Sequence, residues 1–238
     1  MKFSIIIPTL NEEKTIQSCL LALQPLRNVC EIIIVDGESA DNTRILAAPL
    51  ADTVITSAKG RAKQMNSGAK QATGDVLIFL HADTYLPENA VQLLQQEISS
   101  TRLWGRFDIH LSGKPFMLKV IAQMMNWRSR LTGIATGDQV IFVKRLAFEE
   151  TGQYPEISLM EDVALCKALK KISPPLCLKA KVISSGRRWE RNGICRTILL
   201  MWSLRLLYSV GVDPEKLAFF YKNDACHLKF HKSTKWKP

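Results

Sequence analysis

Short apolar runs alternate with stretches of helical spacing along the first third of the chain. The apolar runs are rich in β-branched residues and cover residues 4–7, 31–35, 53–56 and 76–80. The stretches between them begin on polar residues and repeat apolar positions every three or four residues, over 12–23, 41–48 and 61–72. Near-continuous apolar strands are typical of parallel strands buried on both faces. The pattern predicts an α/β protein with a doubly wound, mostly parallel sheet.

Two longer amphipathic stretches follow in the later chain, at residues 116–127 and 194–208. Their richness in Met, Leu and Trp is typical of core or interface packing, with a membrane-surface role as the alternative. Arg196 and Arg205 interrupt the second stretch, which falls short of the roughly 20 apolar residues of a membrane span. No repeat or linker divides the sequence, which predicts a single domain over residues 1–238 with a helical C-terminal extension.

Polar residues follow each predicted strand at the point where it ends. They fall in four segments, residues 8–13, 36–43, 59–66 and 81–84. In a doubly wound sheet, ligands bind outside the carboxyl ends of the strands. We therefore expect acidic, amide and hydroxyl groups to converge on one edge of the sheet.

Asp36 directly follows the second predicted strand, and Gly37 permits a sharp turn after it. A carboxylate at this place can accept hydrogen bonds from the base or ribose of a nucleotide. The structural alternative is that the acids of this loop cap the next helix. Asp41 suits that role, whereas Asp36 lies too far back for it.

Asp83 ends the fourth apolar run and would be an isolated charge unless something neutralised it. A divalent cation that bridges a diphosphate is one such partner, and a loop-capping role is the alternative. His81 is equally open to a structural or a ligand-binding interpretation.

Glu161 and Asp162 open a helical stretch over residues 162–171. Acids in a first helical turn suit the helix dipole, which is the structural interpretation. The functional one makes one of them a general base that takes a proton from a reacting hydroxyl. Spacing alone does not choose between them.

Residues 186–191 place three arginines around Trp189. Guanidinium groups bind phosphate oxygens in a bidentate way, and an indole can cover a flat group or a sugar face. A solvated basic turn with one anchoring aromatic is the structural alternative.

Composition excludes disorder as the main state, since 47% of residues are hydrophobic and 23% are charged. The net charge of +10 is concentrated at the end, because residues 179–238 hold 13 basic against 4 acidic residues. This asymmetry indicates anionic partners near the C-terminal segment.

The cysteines and the N-terminus favour a reduced, cytoplasmic protein without zinc. The six cysteines form no C-x-x-C pair, and several lie in apolar runs, as buried thiols do. Residues 1–8 are too short an apolar run for a signal peptide, and Pro8 breaks them.

Taken in order, these motifs resemble those of inverting family 2 glycosyltransferases of GT-A fold. The resemblance rests on residues 5–13 (IIIPTLNEE), 33–43 (IIVDGESADNT) and 74–84 (GDVLIFLHADT). Residues 60–69, 160–163 and 185–191 further resemble a compact bacterial subgroup named for arsenosugar biosynthesis.

The resemblance implies roles for individual residues. A nucleotide-sugar, expected to be UDP-linked, would be held by Pro8, Thr9, Glu12, Asp36, Arg61, Gln64, Asn66, Ala82, Arg187, Arg188 and Trp189. Asp83 would bind Mg²⁺ or Mn²⁺ on the diphosphate, although His81 stands where the family's D-x-D motif has its first acid. Asp162 would be the catalytic base, with Glu161 contacting the acceptor or orienting the loop. Gly137, Asp138 and Gln139 would form the acceptor-side loop, which precedes a strand over residues 140–143.

The resemblance also divides the domain into a nucleotide-sugar-binding half at 1–110, an acceptor and catalytic half at 111–190 and a basic helical extension at 191–238. A processive synthase is disfavoured, because Ser185 to Trp189 lack the Gln of Q-x-x-R-W. We expect one sugar to pass, with inversion, to a small or lipid-linked acceptor.

Two alternatives stay open. The first is a polyprenyl phosphate acceptor, with the basic extension in peripheral contact with the inner face of a membrane. The second is a nucleic-acid binding module, which the interleaved aromatic and basic residues of the tail suggest, at Lys216, Lys222, Lys229, Lys232, Lys235 and Lys237. It leaves the acids at the strand ends unexplained, so no nucleic acid is expected.

Overall fold

A computed structural model describes residues 1–221. In chain order its strands are β1 (Phe3–Thr9), β2 (Cys30–Asp36), β3 (Thr53–Thr56), β4 (Val76–Phe79), β5 (Thr84–Tyr85), β6 (Trp104–Ser112), β7 (Ile141–Lys144) and β8 (Leu176–Ser185). Its helices are α1 (Ile16–Leu23), α2 (Thr43–Ala47), α3 (Arg61–Gln71), α4 (Ala90–Glu97), α5 (Met117–Thr132), α6 (Arg145–Glu150), α7 (Glu161–Leu169), α8 (Arg187–Asn192) and α9 (Ile194–Ser209). Residues 214–221 are also helical.

All eight strands belong to one sheet, in the order β3-β2-β1-β4-β7-β6-β8-β5. The first four in this order run parallel, which confirms the doubly wound half predicted from the apolar runs. β7 then pairs antiparallel with both β4 and β6, whereas β6 and β8 run parallel. The sheet is therefore mixed, with a parallel half and a half that contains reversed strands.

The alternation of side chains along each strand divides the core into two layers. Ile5 and Ile7 of β1 pack on one face with α1, α4 and α5, while Ile6 packs on the other with α3, α6 and α7. Successive strand residues point to opposite faces, so a strand covered on both sides must be apolar at every position. This requirement explains the unbroken apolar runs.

Three strands escaped the sequence analysis for physical reasons. β6 carries the buried charges Arg106 and Asp108, which interrupt its apolar pattern and neutralise one another inside the protein. β8 alternates buried and exposed residues, as a half-solvated strand does, and β5 has only two residues. The alternation of apolar and polar residues over 176–182 could have predicted β8 from the sequence.

The predicted first helix begins later than its polar pattern suggested. Residues 12–15 form a turn in which the Thr15 hydroxyl donates to the Glu12 carboxylate at 2.7 Å, and α1 begins at Ile16. The loop acid Asp41 accepts a hydrogen bond from the N–H of Thr43 at 3.0 Å, at the start of α2. The N-cap residue of α2 is Asn42, and Asp41 lies one position before it.

The cysteines of the described residues behave largely as buried thiols. Cys19, Cys30 and Cys166 are buried, and burial raises the pKa of each thiol to about 12. Cys195 is exposed. Cys226 and the basic residues from Lys222 onward lie outside the described residues, so the predicted basic tail is represented only by its beginning.

α9 packs on the domain at two places. Near its start, Ile194 and Ile198 pack against the main apolar layer. Its later part and the helix over residues 214–221 pack through a separate small cluster, whose buried members are Met160, Val163, Leu204 and Leu217. The opposite face of the extension exposes Leu199, Trp202, Leu206 and Val210, with Phe219 and Phe220 of the following helix. None of the helices within residues 1–221 combines the length and apolar character that a bilayer crossing requires.

Close packing of α3 on the sheet makes Gly68 a sensitive position. A Cβ atom there would lie 2.4 Å from Cγ2 of Ile6 and 2.9 Å from Cγ2 of Val35. We expect Gly68→Ala to lower the free energy of unfolding by roughly 1–3 kcal/mol, because overpacking outweighs the gain in helix propensity. Urea denaturation measures this, with Lys70→Ala on the exposed face as the control; equal stabilities of Gly68→Ala and wild type would contradict the packing argument.

Candidate functional site

The loops that carry the predicted site residues meet at one edge of the sheet. β1, β2 and β4 all end there, because they run parallel. β7 begins there, because it runs antiparallel to β4 with Phe79 opposite Ile141. The segment Gly137–Gln139, which precedes β7, is thereby brought beside the segment 81–83 that follows β4.

Asp36 and Thr9 form the buried floor of the first two loops. Asp36 is fully buried, and its carboxylate accepts hydrogen bonds from the Thr9 hydroxyl at 3.3 Å and from the N–H of Ser39 at 2.9 Å. These bonds fix the loop after β2 against the end of β1. In this structure the Asp36 carboxylate therefore binds groups of the protein itself.

Gln64 and Asn66 of α3, which are predicted to hold the nucleotide-sugar, bind backbone groups in this structure. Both are buried, and Gln64 donates to the carbonyl oxygens of Thr9 and Val35, each at 2.8 Å. Asn66 exchanges two hydrogen bonds with the backbone of Tyr154. Amide side chains satisfy buried backbone groups well, so these residues position the loops. Arg61, at the start of the same helix, is exposed.

His81 and Asp138 pair across the junction of β4 and β7. Nδ1 of His81 lies 3.3 Å from Oδ1 of Asp138, and the imidazole packs so closely on Gly137 that a Cβ there would lie 2.6 Å from Nε2. Desolvation raises the pKa of Asp138, but the hydrogen bond to His81 and the nearby positive charges outweigh it and lower the pKa. His81 therefore binds the acceptor-side loop.

Asp162 faces the same loop from the start of α7. Its Oδ2 accepts the N–H of Gly137 at 3.0 Å, and its Oδ1 accepts the N–H of Val163 at 2.7 Å. Burial and the charge of neighbouring Glu161 raise the pKa of Asp162 to about 6. A carboxylate with such a pKa is ionised at neutral pH and is still a stronger base than an ordinary aspartate.

Glu161 is buried, with 7% of its surface exposed. This burial disfavours its predicted contact with an acceptor. Its charge instead acts on Asp162, where it is the second cause of the raised pKa after burial. Glu161 is thus a residue that tunes its neighbour.

Asp83 and Glu12 lie on either side of one arginine. Nη2 of Arg187 is 3.1 Å from Oδ2 of Asp83 and 3.9 Å from Oε2 of Glu12. The pairing of β5 with β8 brings them together, because Thr84 lies opposite Ser184. Within residues 1–221 no three His, Cys, Asp or Glu side chains gather as a complete metal site. Mg²⁺ on a nucleotide needs only one or two protein carboxylates besides phosphates and water, so Asp83 fits such a cation.

The remaining predicted residues divide between the cleft and the core. The guanidinium of Arg188 stacks 3.8 Å from the centre of the Tyr221 ring. Trp189 is half-buried and packs against the main apolar layer. Ala82 is buried, and Pro8 is half-buried.

Gln139 closes the acceptor-side loop. It is fully buried, and its amide nitrogen donates to the hydroxyl of Ser129 at 3.0 Å. This bond ties the acceptor-side loop to α5. Gly137 and Asp138 remain at the cleft, and the side chain of Asp138 is about half exposed.

Backbone strain is concentrated around the same loops. Among the described residues, the non-glycine positions with positive φ are Asn11, Glu38, Val140, Gln153 and Met160. Val140 directly follows the acceptor-side loop, and Met160 directly precedes Glu161 and Asp162. A β-branched residue with φ of 53° is a true outlier, and such strain is maintained mainly at functional sites.

Sequence reasoning missed two residues that border Asp162. Tyr208 of α9 lies close enough for the charge of Asp162 to contribute, after burial, to raising the pKa of its phenol. Arg128 of α5 is also within reach of the charge of Asp162. Neither belongs to a motif, and only the fold brings them to the cleft.

Comparison with known proteins agrees with this architecture. Among solved structures, the mannosyltransferase PcManGT from Pyrobaculum calidifontis, in complex with GDP-Man and Mn²⁺, is similar with a TM-score of 0.61 and 19% identity. The similarity covers 100% of this chain and 76% of that one. Residues 1–349 of S. aureus TarS, in complex with UDP-GlcNAc, also give a TM-score of 0.61, at 22% identity over 79% of this chain and 59% of that one. The fold is GT-A, as predicted.

Sequence comparison is consistent with the same family. A "PGL/p-HBAD biosynthesis glycosyltransferase" of Mycobacterium bovis (strain BCG / Pasteur 1173P2) is 40% identical over 96 residues, which are 36% of this chain and 37% of that protein. The match thus spans little more than a third of this relative's length. The model of Glycosyl transferase family 2 matches residues 4–147, more than half of the chain. The chain therefore belongs to glycosyl transferase family 2.

Proposed function

We propose that this chain transfers one sugar from a nucleotide-sugar to an acceptor hydroxyl with inversion at the anomeric carbon. The observation that carries the proposal is Asp162, held by the N–H of Gly137 in the cleft with its pKa raised to about 6. Such a carboxylate is suited to general base catalysis near neutral pH. Two of the similar solved structures contain nucleotide-sugars.

The reaction needs one proton transfer and one displacement. Asp162 takes the proton of the acceptor hydroxyl while the hydroxyl oxygen forms a bond to the anomeric carbon. The bond from that carbon to the diphosphate breaks, and its electron pair leaves with the nucleoside diphosphate. Attack opposite the leaving group inverts the anomeric centre.

The donor would lie along the ends of β1, β2 and β4. Pro8, Glu12 and Arg61 would border it, with Thr9 and Asp36 shaping the loops beneath. Arg187 and Arg188 would offset charge on the departing diphosphate. We propose a UDP-sugar as the donor, bound by residues 1–110. Residues 111–190 would supply the acceptor-binding and catalytic groups, and the basic helical extension begins at residue 191.

A divalent cation on the diphosphate is part of the proposal. Asp83 would hold it, with Glu12 nearby, since both already share the positive charge of Arg187. When bound, Mg²⁺ or Mn²⁺ stabilises negative charge on the leaving diphosphate. His81 supplies no carboxylate and is engaged with Asp138, which leaves Asp83 as the main protein ligand.

The sequence motifs also support a finer placement. Residues 60–69, 160–163 and 185–191 favour the compact bacterial subgroup named for arsenosugar biosynthesis. In the structure these segments hold α3, the start of α7 and the turn into α8. All three border the cleft that contains Asp162 and Asp83.

Nucleotide binding tests the donor side. We expect one of UDP or GDP to raise the Tm by several degrees at saturation, and only with Mn²⁺, because a ligand of the native state stabilises it. Asp83→Asn should abolish the metal-dependent rise in thermal-shift measurements. Glu97→Gln, at the exposed end of α4, is the control that should behave as wild type. A metal-dependent rise that persists in Asp83→Asn would reject this metal assignment.

Asp162→Asn tests the base through activity and stability together. Transfer should fall by roughly 10²–10⁴-fold, with nucleotide binding retained. The raised pKa means that ionised Asp162 destabilises the fold. Removing its charge therefore stabilises the protein only at pH values at which Asp162 of the wild type is ionised. The Tm of Asp162→Asn relative to wild type should rise by roughly 3–6 °C from pH 4 to pH 7.

The direction in which the Tm difference between variant and wild type changes with pH distinguishes Asp162 from Asp138. The penalty of ionised Asp162 is absent below about pH 4 and complete above about pH 6. Asp162→Asn also loses one hydrogen bond from a backbone N–H, and this loss is the same at every pH. It therefore changes the Tm difference between variant and wild type by a constant amount and leaves its pH dependence unchanged. Asp138→Asn should show no such rise, since the pKa of Asp138 is lowered. Near wild-type transfer by Asp162→Asn would disprove the base assignment.

A polyprenyl phosphate acceptor at a membrane surface is the second candidate function. The observation that favours it is the exposed apolar stripe of α9, where Leu199, Trp202 and Leu206 are each about two-thirds exposed. An indole in a row of aliphatic side chains is typical of helices that lie in a bilayer interface.

Vesicle binding separates the second candidate from a freely diffusing acceptor. The full chain should co-sediment with vesicles of phosphatidylcholine and phosphatidylglycerol at about 0.15 M salt. Trp202→Glu should reduce the bound fraction strongly, whereas Ile45→Glu, at an equally exposed apolar residue on α2, should leave it unchanged. Equal sedimentation of both variants and wild type would remove this candidate.

A further inference from the structure

The guanidinium of Arg128 is buried without a hydrogen-bond partner. Both Nη1 and Nη2 lack one, although neither is accessible to solvent. Both terminal nitrogens of the buried Arg106 are bonded, to Asp108 and to the carbonyl oxygen of Asn126, although its Nε lacks a partner. Arg145 binds the carbonyl oxygens of Ala72 and Gly74. A guanidinium stays charged in proteins, so an unpaired one inside the fold is costly unless a ligand completes it.

Arg128 lies next to the proposed site of transfer. It is near enough to Asp162 and Asp138 for both charges to act on it, and burial lowers its pKa. The next residue on α5, Ser129, accepts the hydrogen bond that anchors Gln139. The hydroxyl of Thr136, which precedes Gly137, is also buried and without a partner.

The neighbouring carboxylates are already engaged elsewhere. Asp162 accepts the N–H groups of Gly137 and Val163, and Asp138 pairs with His81. No hydrogen bond joins either of them to Arg128 among the described residues. The fork of two parallel N–H donors therefore remains available for an external oxyanion, which it can bind in a bidentate way.

We propose that Arg128, with the Thr136 hydroxyl, binds an oxyanion of the acceptor, a phosphate monoester or a carboxylate, and so directs the acceptor hydroxyl to Asp162. The inference rests on the proposed function and names the class of its acceptor. It requires an acceptor that is anionic as well as hydroxylated.

The acceptor reaches Arg128 by displacing part of the cover of the cleft. Tyr208 of α9 is close to Asp162, and its ring lies 5.0 Å below the ammonium of Lys167. Around Tyr208, α9 is held by the small cluster that contains Leu204 and Leu217, whereas Ile194 and Ile198 pack the start of the helix on the main core. The later part of α9 is therefore the element whose outward shift would open the guanidinium.

Paired ligands test the oxyanion directly by binding to the full chain. Glycerol 3-phosphate, glycerate and 1-oleoylglycerol 3-phosphate, each of which has a free hydroxyl, are compared with glycerol or 1-oleoylglycerol, in the presence of saturating nucleoside diphosphate and Mn²⁺ so that the donor side is filled. At least one anionic ligand should bind, and its neutral counterpart should not. The oleoyl ligand and the two small anions distinguish a lipid-borne from a diffusible oxyanion.

Arg128→Met removes the charge and nearly preserves the length of the side chain. We expect it to weaken binding of the anionic ligand roughly 10- to 100-fold. Lys119→Met removes a positive charge from the exposed face of the same helix and should change affinity less than about twofold. Calorimetric titration measures the dissociation constants.

The stability of the unliganded variants separates ligand binding from a structural role. An unpaired buried charge destabilises the fold, so Arg128→Met without ligand should have a Tm equal to or above that of wild type. A lower Tm together with unchanged anion binding would show that Arg128 is structural and would overturn the proposal.

The two proposals fail in different ways. Nucleotide binding without binding of any anionic ligand rejects the oxyanion site and leaves the proposed transfer intact. Anion binding that requires Arg128 while no nucleotide binds supports the site and rejects the transfer.

Discussion

The antiparallel pairing of β7 with β4 is the constraint on which the cleft depends. Parallel strands deliver only their carboxyl ends to the edge where ligands bind. Because β7 runs in the opposite direction, it delivers its beginning, and the loop before it meets the loop after β4. His81 then reaches Asp138, and the N–H of Gly137 reaches Asp162. One reversed strand thus joins the donor loops to the first turn of α7.

The parallel half of the sheet could be predicted from the sequence because a strand that is buried on both faces is apolar at nearly every position. The sequence also singled out Asp162 and Asp83 from their motifs. In the structure Asp162 binds the N–H of Gly137, which packs on His81, two residues before Asp83. The sequence did not show that Gln64, Asn66 and Gln139 bind groups of the protein, or that Trp189 packs on a main layer of the core. Motif spacing cannot tell a polar side chain that faces a ligand from one that satisfies a backbone group.

Arg128 illustrates what only the fold can supply. In the sequence it is one basic residue in an amphipathic stretch. Its significance comes from groups in later segments of the chain, since the charges of Asp162 and Asp138 act on it while its terminal nitrogens have no hydrogen-bond partner. The strained residues Val140 and Met160 belong to the same neighbourhood. The cleft therefore combines unpaired charge with strained backbone, and the apolar layers on both faces of the sheet must compensate for both.

The separate cluster beneath α9 has an evolutionary consequence. Its four buried residues come from the start of α7, the later part of α9 and the helix that follows, while Ile194 and Ile198 pack the start of α9 on a main layer of the core. Substitutions in the later part of α9 can therefore accumulate with little effect on the folding of the sheet. Lineages that share the same donor half are free to diverge here, and new acceptor preferences can arise by drift along one helix.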